Sequence, residues 1–216
     1  MKVEISGEVF ELLFHKALYW PKFDTLLLAD LHLGKINHFR KSGIPLPSKA
    51  NDRNIEVLVD IIQSKKPARV LCLGDLFHSY YNPEWEVFGE LVKHFRGISF
   101  ELILGNHDVM SELQYERKGI RLHHHLTLGN FILTHHPLEH IAPGYYNLAG
   151  HIHPGVCLYG RGKQHVTLPC FYFGQRQALL PAFGVFTGLA KIRPMKDDKV
   201  FVILENKIME VNGASC

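Results

Sequence analysis

Cysteine is scarce and unpatterned in this chain. Cys72, Cys157, Cys170 and Cys216 share no CxxC spacing, which argues against a thiolate zinc site and a disulfide scaffold and favours reduced, mostly buried thiols. Long apolar runs are missing too; none approaches the ~20 residues a membrane-crossing helix needs. Glu4, Glu8 and Glu11 interrupt the first apolar residues, where a secretory signal would need an unbroken core. A soluble, cytoplasmic protein is expected. Charge of one sign is not in large excess: a formal net charge of +3 permits a nucleic-acid partner without demanding one. There is no internal repeat, low-complexity segment or Ser/Gly/Pro-rich linker, so residues 1–216 are expected to form a single domain.

What the chain does have is five short polar segments: Asp30-Leu31-His32, Gly74-Asp75, Gly105-Asn106-His107-Asp108, Thr134-His135-His136 and Gly150-His151-Ile152-His153. Apolar runs precede most of them, at Thr25 to Ala29, Val70 to Leu73, Leu102 to Leu104 and Phe131 to Leu133. Each run reads as a buried strand that stops where a carboxylate, amide or imidazole begins. Side chains at the carboxyl ends of successive strands meet at one edge of a sheet, where open α/β folds build their sites.

Between the strands the pattern changes to a helical period. Ile55, Leu58, Val59 and Ile62 give one apolar face to a helix over about Ala50 to Ser64, with Ser48 as its cap. Trp85, Phe88, Leu91, Val92 and Phe95 do the same for a helix opened by Asn82-Pro83. After about Ile120 helical periodicity is absent and short strands dominate. Alternating strands and helices followed by a strand-rich half predict a mixed α/β fold with two packed sheets.

Asp30 and His32 lie on the same side of a regular strand, and His151 and His153 repeat that spacing after a glycine that permits close backbone approach. Asp75 is placed to bridge two ions, and Asn106 offers a neutral oxygen. Carboxylates, an amide and imidazoles without a thiolate favour manganese, iron or zinc over magnesium or calcium. Two such divalent cations suit hydrolysis of a phosphate ester by activated water. His107 is a candidate catalytic acid for the leaving oxygen, and Asp108 a candidate to orient its imidazole. Any one of these segments alone reads more readily as a turn; all five in order do not.

The ordered set DLH, GD, GNHD, THH and GHIH resembles the calcineurin-like metallophosphoesterase superfamily. The resemblance spans Leu26 to Pro154 and implies a four-layer α/β/β/α sandwich of two mixed sheets flanked by helices. It implies one ion held by Asp30, His32, Asp75 and His153 and another by Asp75, Asn106, His135 and His151, with His107 catalytic. His135 is preferred over His136 because it directly follows Ile132-Leu133-Thr134. Asp30 to Lys35, Phe39-Arg40, Gly43-Ile44-Pro45, Leu168-Pro169-Cys170 and Leu180 to Gly184 resemble the DNA-ligase-associated branch. That implies a manganese-dependent phosphodiesterase or DNA endonuclease of bacterial repair, in functional association with a DNA ligase and helicase. A phosphohydrolase of small nucleotides, cyclic nucleotides or nucleotide sugars is the alternative.

Lys35, His38, Arg40 and Lys41 either meet a phosphate backbone or form a solvated face; Arg161, Lys163 and His165 carry the same ambiguity. Tyr80, Tyr81, Tyr145 and Tyr146 either stack on bases or pack at loop roots. His78 is expected to orient a ligand or contact substrate. His123-His124-His125 is expected to be surface and partly packed, and His15, His94 and His140 structural.

Overall fold

The computed structural model describes residues 1–34, 49–78, 83–160, 162, 164–185 and 187–211. Lys35, His38, Arg40, Lys41, Ser48, Tyr80, Tyr81, Asn82, Arg161 and Lys163 lie outside them, and with them the expected phosphate contacts and both expected helix caps.

A first sheet has seven strands in sequence order: β1 (Lys2–Ile5), β2 (Glu8–Leu13), β3 (Ala17–Trp20), β4 (Thr25–Leu28), β5 (Arg69–Leu73), β6 (Ser99–Ile103) and β7 (Ile120–His123). Its first four strands pair antiparallel, and β4 to β7 run parallel. The parallel strands need crossovers. These contain α1 (Lys49–Lys65), α2 (Pro83–His94) and α3 (Glu112–Arg117), the last a short helix without a clear sequence signature.

The second sheet contains β8 (Leu126–Leu128), β9 (Phe131–Thr134), β10 (Tyr146–Ala149), β11 (Pro154–Tyr159), β12 (His165–Phe173), β13 (Gln177–Leu179), β14 (Ala190–Lys191), β15 (Lys199–Ile203) and β16 (Ile208–Val211). Its path is β14-β11-β12-β13-β10-β9-β8, with β15 and β16 added against β12. Here β9, β10 and β13 run parallel at the centre.

Strand alternation divides the core. Leu26, Leu28, Val70, Cys72, Phe100 and Leu102 pack with Leu58, Ile61 and Ile62 of α1 and Trp85, Phe88, Leu91 and Val92 of α2. Their neighbours Leu27, Leu71, Leu73 and Ile103 face the other way, against Phe131, Leu133, Leu148, Phe171 and Phe201 of the second sheet. Leu26 to Leu28 of β4 and Val70 to Leu73 of β5 are therefore unbroken apolar runs, as strands covered on both faces favour. Among the described residues all three helices pack on the first sheet. The outer face of the second carries a smaller cluster of Val156, Cys170, Val200 and Val202. The α/β sandwich of two mixed sheets is as expected; no described helix forms a fourth layer, in keeping with the missing helical period after Ile120.

Candidate metal centre

Parallel pairing brings the carboxyl ends of β4, β5 and β6 to one edge of the first sheet, and those of β9 and β10 to one edge of the second. The two edges are stitched together. The His151 backbone N–H donates to Asp30 Oδ2 at 2.9 Å, and His135 Nδ1 lies 2.9 Å from the Leu73 carbonyl oxygen. The segment after β13 crosses the junction, with Leu180 N donating to the Ala149 carbonyl, Phe183 N to that of Ala29 and Gly184 N to that of Asp30.

All seven residues expected to ligate metal converge here. Asp30 Oδ1 lies 3.5 Å from His153 Nε2 and 3.9 Å from His135 Nδ1. Asp75 Oδ2 lies 3.7 Å from His32 Nε2, and Asp75 Oδ1 lies 3.5 Å from His135 Nε2. His135 Nε2 is also 3.0 Å from Asn106 Oδ1 and 3.1 Å from His151 Nδ1. Donor atoms of Asp30, His32 and His153 form one compact group, and those of Asp30, Asp75 and His135 another. His135, His136 and His151 form a third, so His136 reaches the site as well, although it is exposed and His135 is buried.

The donor set fits a divalent cation. Asp30 and Asp75 are buried, and among the described residues their charged or ionisable partners within 4 Å are imidazoles, not lysine or arginine. Asp30 Oδ1 is buried with no hydrogen-bond partner among the described residues, a costly state for a carboxylate oxygen that a cation would relieve. Backbone carbonyls orient the rings: Leu73 O takes the Nδ1–H of His135, and Gly188 O lies 3.2 Å from His153 Nδ1. Each contact leaves Nε2 as the lone-pair nitrogen facing the carboxylates, the usual outer support of a ligating histidine. Burial pushes the His151 imidazole below its ordinary value, and His136 and His135 push the same way, which keeps it in the neutral form that ligates.

The backbone at these positions is unusual. Among the described residues nine non-glycine residues have positive φ, and five are Asp30, His32, Asp75, His151 and His153. Left-handed backbone costs roughly 1–3 kcal/mol per residue outside glycine, and aspartate and histidine are among the types that enter it most readily. The chain after β4, β5 and β10 thus turns sharply where it presents these candidate ligands. Gly150 allows the close approach expected of it: a Cβ there would lie 2.8 Å from Leu73 O and 2.9 Å from Asp30 Oδ2.

His107 is half-buried beside this cluster. Its backbone N–H donates to Asp75 Oδ1 at 2.9 Å, and its ring stacks on His78 with centroids 4.8 Å apart. His78 Nδ1 lies 3.4 Å from His32 Nδ1, so His78 touches both a candidate ligand and the candidate acid. Asp108 departs from its expected role. Its carboxylate turns inward and accepts from Leu76 N at 3.0 Å, Phe77 N at 3.2 Å and Gly105 N at 2.9 Å, not from the His107 imidazole. Burial pushes its pKa up to about 6 against the pull of those backbone donors. It knits the β5 and β6 loops together instead of activating His107.

Asn147 carries no sequence signal beyond being a polar residue in an apolar run, yet it is fully buried. Its Nδ2 donates to Ile132 O at 2.8 Å and Thr134 Oγ1 at 2.9 Å, and its Oδ1 accepts from Leu138 N at 3.1 Å. That clamp sets the course of the loop bearing His135 and His136. His123 packs through Nε2 at 2.8 Å from Glu101 Oε2, whereas His124 and His125 are exposed.

Convergent aspartates and imidazoles at the strand ends of a two-sheet α/β sandwich form a candidate metal centre. The family pattern of calcineurin-like phosphoesterases matches residues 23–203, and the chain belongs to that family. Among solved structures, the Pseudomonas putida nuclease MPE is 28% identical, with a TM-score of 0.83 over 98% of this chain and 99% of its own. The E. coli phosphoesterase Yfce also matches, at 14% identity and a TM-score of 0.45 over 88% of this chain and 98% of its own. A comparison with curated proteins finds no match. The chain is a phosphoesterase, and its family implies divalent metal. Among the described residues no helix is long and apolar enough to cross a membrane.

Proposed function

We propose that the chain is a phosphodiesterase with a binuclear metal centre, manganese first among the candidates and iron or zinc next, and that its substrate is DNA. One observation carries the reading: the buried Asp30 and Asp75 carboxylates face the His32, His135, His151 and His153 imidazoles and the Asn106 amide, with no lysine or arginine among their described ion-pair partners. Asp30, His32, Asp75 and His153 would hold one ion, and Asp75, Asn106, His135 and His151 the second. When bound, the ions supply charge stabilisation at phosphorus and a water acidic enough to attack at neutral pH.

The remaining work falls to the chain's own groups. His107 gives a proton to the departing oxygen. Asp75 Oδ1 holds the His107 backbone, and the stacked His78 ring limits the swing of its imidazole. The similar Pseudomonas putida protein is a nuclease, which favours a nucleic-acid strand over a small nucleotide. A place in bacterial DNA repair, beside a ligase and helicase, follows as part of this proposal.

The test is purified protein with manganese against single- and double-stranded DNA, RNA, cyclic nucleotides and bis-nitrophenyl phosphate. Nicking or degradation of DNA is expected. Turnover of bis-nitrophenyl phosphate with every DNA left intact would retire the nuclease assignment in favour of a small-nucleotide phosphohydrolase.

A further inference from the structure

A groove of about 480 Å³ opens beside the candidate metal centre, between the β7–β8 turn and the loop after β9. Half-buried Leu104, Ile132 and Leu138 line it with the exposed imidazoles of His124, His125 and His136. His135 and His136 belong both to the groove and to the candidate metal groups, so the two adjoin. Asn147 fixes the wall from beneath, since its partners Ile132, Thr134 and Leu138 all line the groove. The cavity is thus set by a buried, fully bonded amide, and its size falls within the usual range for ligand pockets, about 300–1,000 Å³.

We propose that this groove seats the nucleoside adjoining the scissile phosphate, with the imidazoles of His124, His125 and His136 available to stack on or hydrogen-bond a base. The inference rests on the phosphodiesterase reading above and deepens it. Apolar side chains interleaved with flat polar rings suit the face of a nucleobase, which every base presents regardless of sequence. Among the described residues no aspartate or glutamate lines the groove, so no carboxylate in its lining repels the phosphates on either side. The surface is accordingly indifferent to sequence but selective for a nucleoside over an alkyl group.

Two esters with the same leaving group test this: the p-nitrophenyl ester of thymidine 5′-phosphate and methyl p-nitrophenyl phosphate, each with manganese. The protein is expected to prefer the thymidine ester in kcat/KM. Thr127→Trp, which fills the groove from an exposed strand position, and separately His125→Ala should cut that preference about fivefold or more, the lower end of what base stacking contributes. Thymidine added to the metal-free protein should shift the imidazole NMR signals of His124 and His125. A preference ratio that stays the same in both folded variants, with no imidazole shift, would overturn the groove assignment and leave the phosphodiesterase reading intact. Failure to hydrolyse either ester would overturn that reading, and the inference with it.

Discussion

The His151 backbone N–H donates to Asp30 Oδ2 at 2.9 Å, so a candidate ligand of the second sheet is tied to a candidate ligand of the first. The tie leaves Asp30 Oδ1, the other carboxylate oxygen, buried with no hydrogen-bond partner among the described residues. Asp30 is 0% exposed and Asp75 2% exposed, and two such charges next to each other's imidazoles are held more stably around a cation than without one.

Metal removal should therefore lower the melting temperature. A cation present at a hundred times its dissociation constant adds ~2.7 kcal/mol to folding, which for a chain of this size corresponds to about 5–11 °C. Asp30→Asn keeps an acceptor for the His151 N–H and tolerates the φ of 54° at that position, but it lacks the charge. Its melting point should respond less to manganese than that of the native protein, and metal analysis should show reduced occupancy. Equal melting points with and without chelator in the native protein would show that no cation is bound within this cluster.

His107→Ala should separate acid catalysis from metal binding. Loss of a positioned acid typically costs ~10²–10⁴-fold, but only where the leaving oxygen needs a proton. Cleavage of DNA, whose leaving group is an alkoxide, should fall by about that factor. Turnover of a nitrophenyl ester, whose leaving group departs as a stable anion, should fall far less. Manganese content should be unchanged. An equal loss on both substrates would place His107 in metal or substrate binding instead.

Much of the centre was legible because strand ends announce themselves. Leu26 to Ala29 and Val70 to Leu73 are apolar, and the residues that follow are the ones that face the site. The strand before Gly150 was harder to see, because Asn147 interrupts its apolar run with a side chain whose partners come from β9 and its loop. The left-handed backbone at Asp30, His32, Asp75, His151 and His153 was hidden as well. Residue type permits that conformation, and only the surrounding fold imposes it. Asp108 misled through adjacency: it follows His107 directly, yet its side chain turns to the backbone of Leu76, Phe77 and Gly105.

Asp108→Ala is expected to act on stability first. It strands three backbone N–H groups, and each buried donor left without a partner costs about 1–3 kcal/mol. A drop in the urea midpoint at unchanged m-value is the expected signature. Asp108→Asn retains one acceptor oxygen and should recover part of the loss. A variant of native stability with impaired turnover would restore the imidazole-orienting role.

Gly74→Ala should damage the site through packing alone. Gly74 has a φ of +82°, and a Cβ there would sit 2.1 Å from His135 Nδ1 and 2.4 Å from its Cγ. The ring must move, and with it goes the contact between His135 Nδ1 and Leu73 O. Gly7 supplies the control, since its φ is +81° but no atom of the described residues lies within 4 Å of the added carbon. Alanine at Gly7 bears only the backbone penalty of about 1–2 kcal/mol, and manganese affinity and turnover should stay native. Alanine at Gly74 bears the same backbone penalty and also displaces a ligand, so denaturation should show a larger loss and titration a weaker manganese affinity. Equal effects of the two substitutions on metal affinity would mean that the His135 ring yields without consequence, and that its seat against Gly74 does not position a ligand.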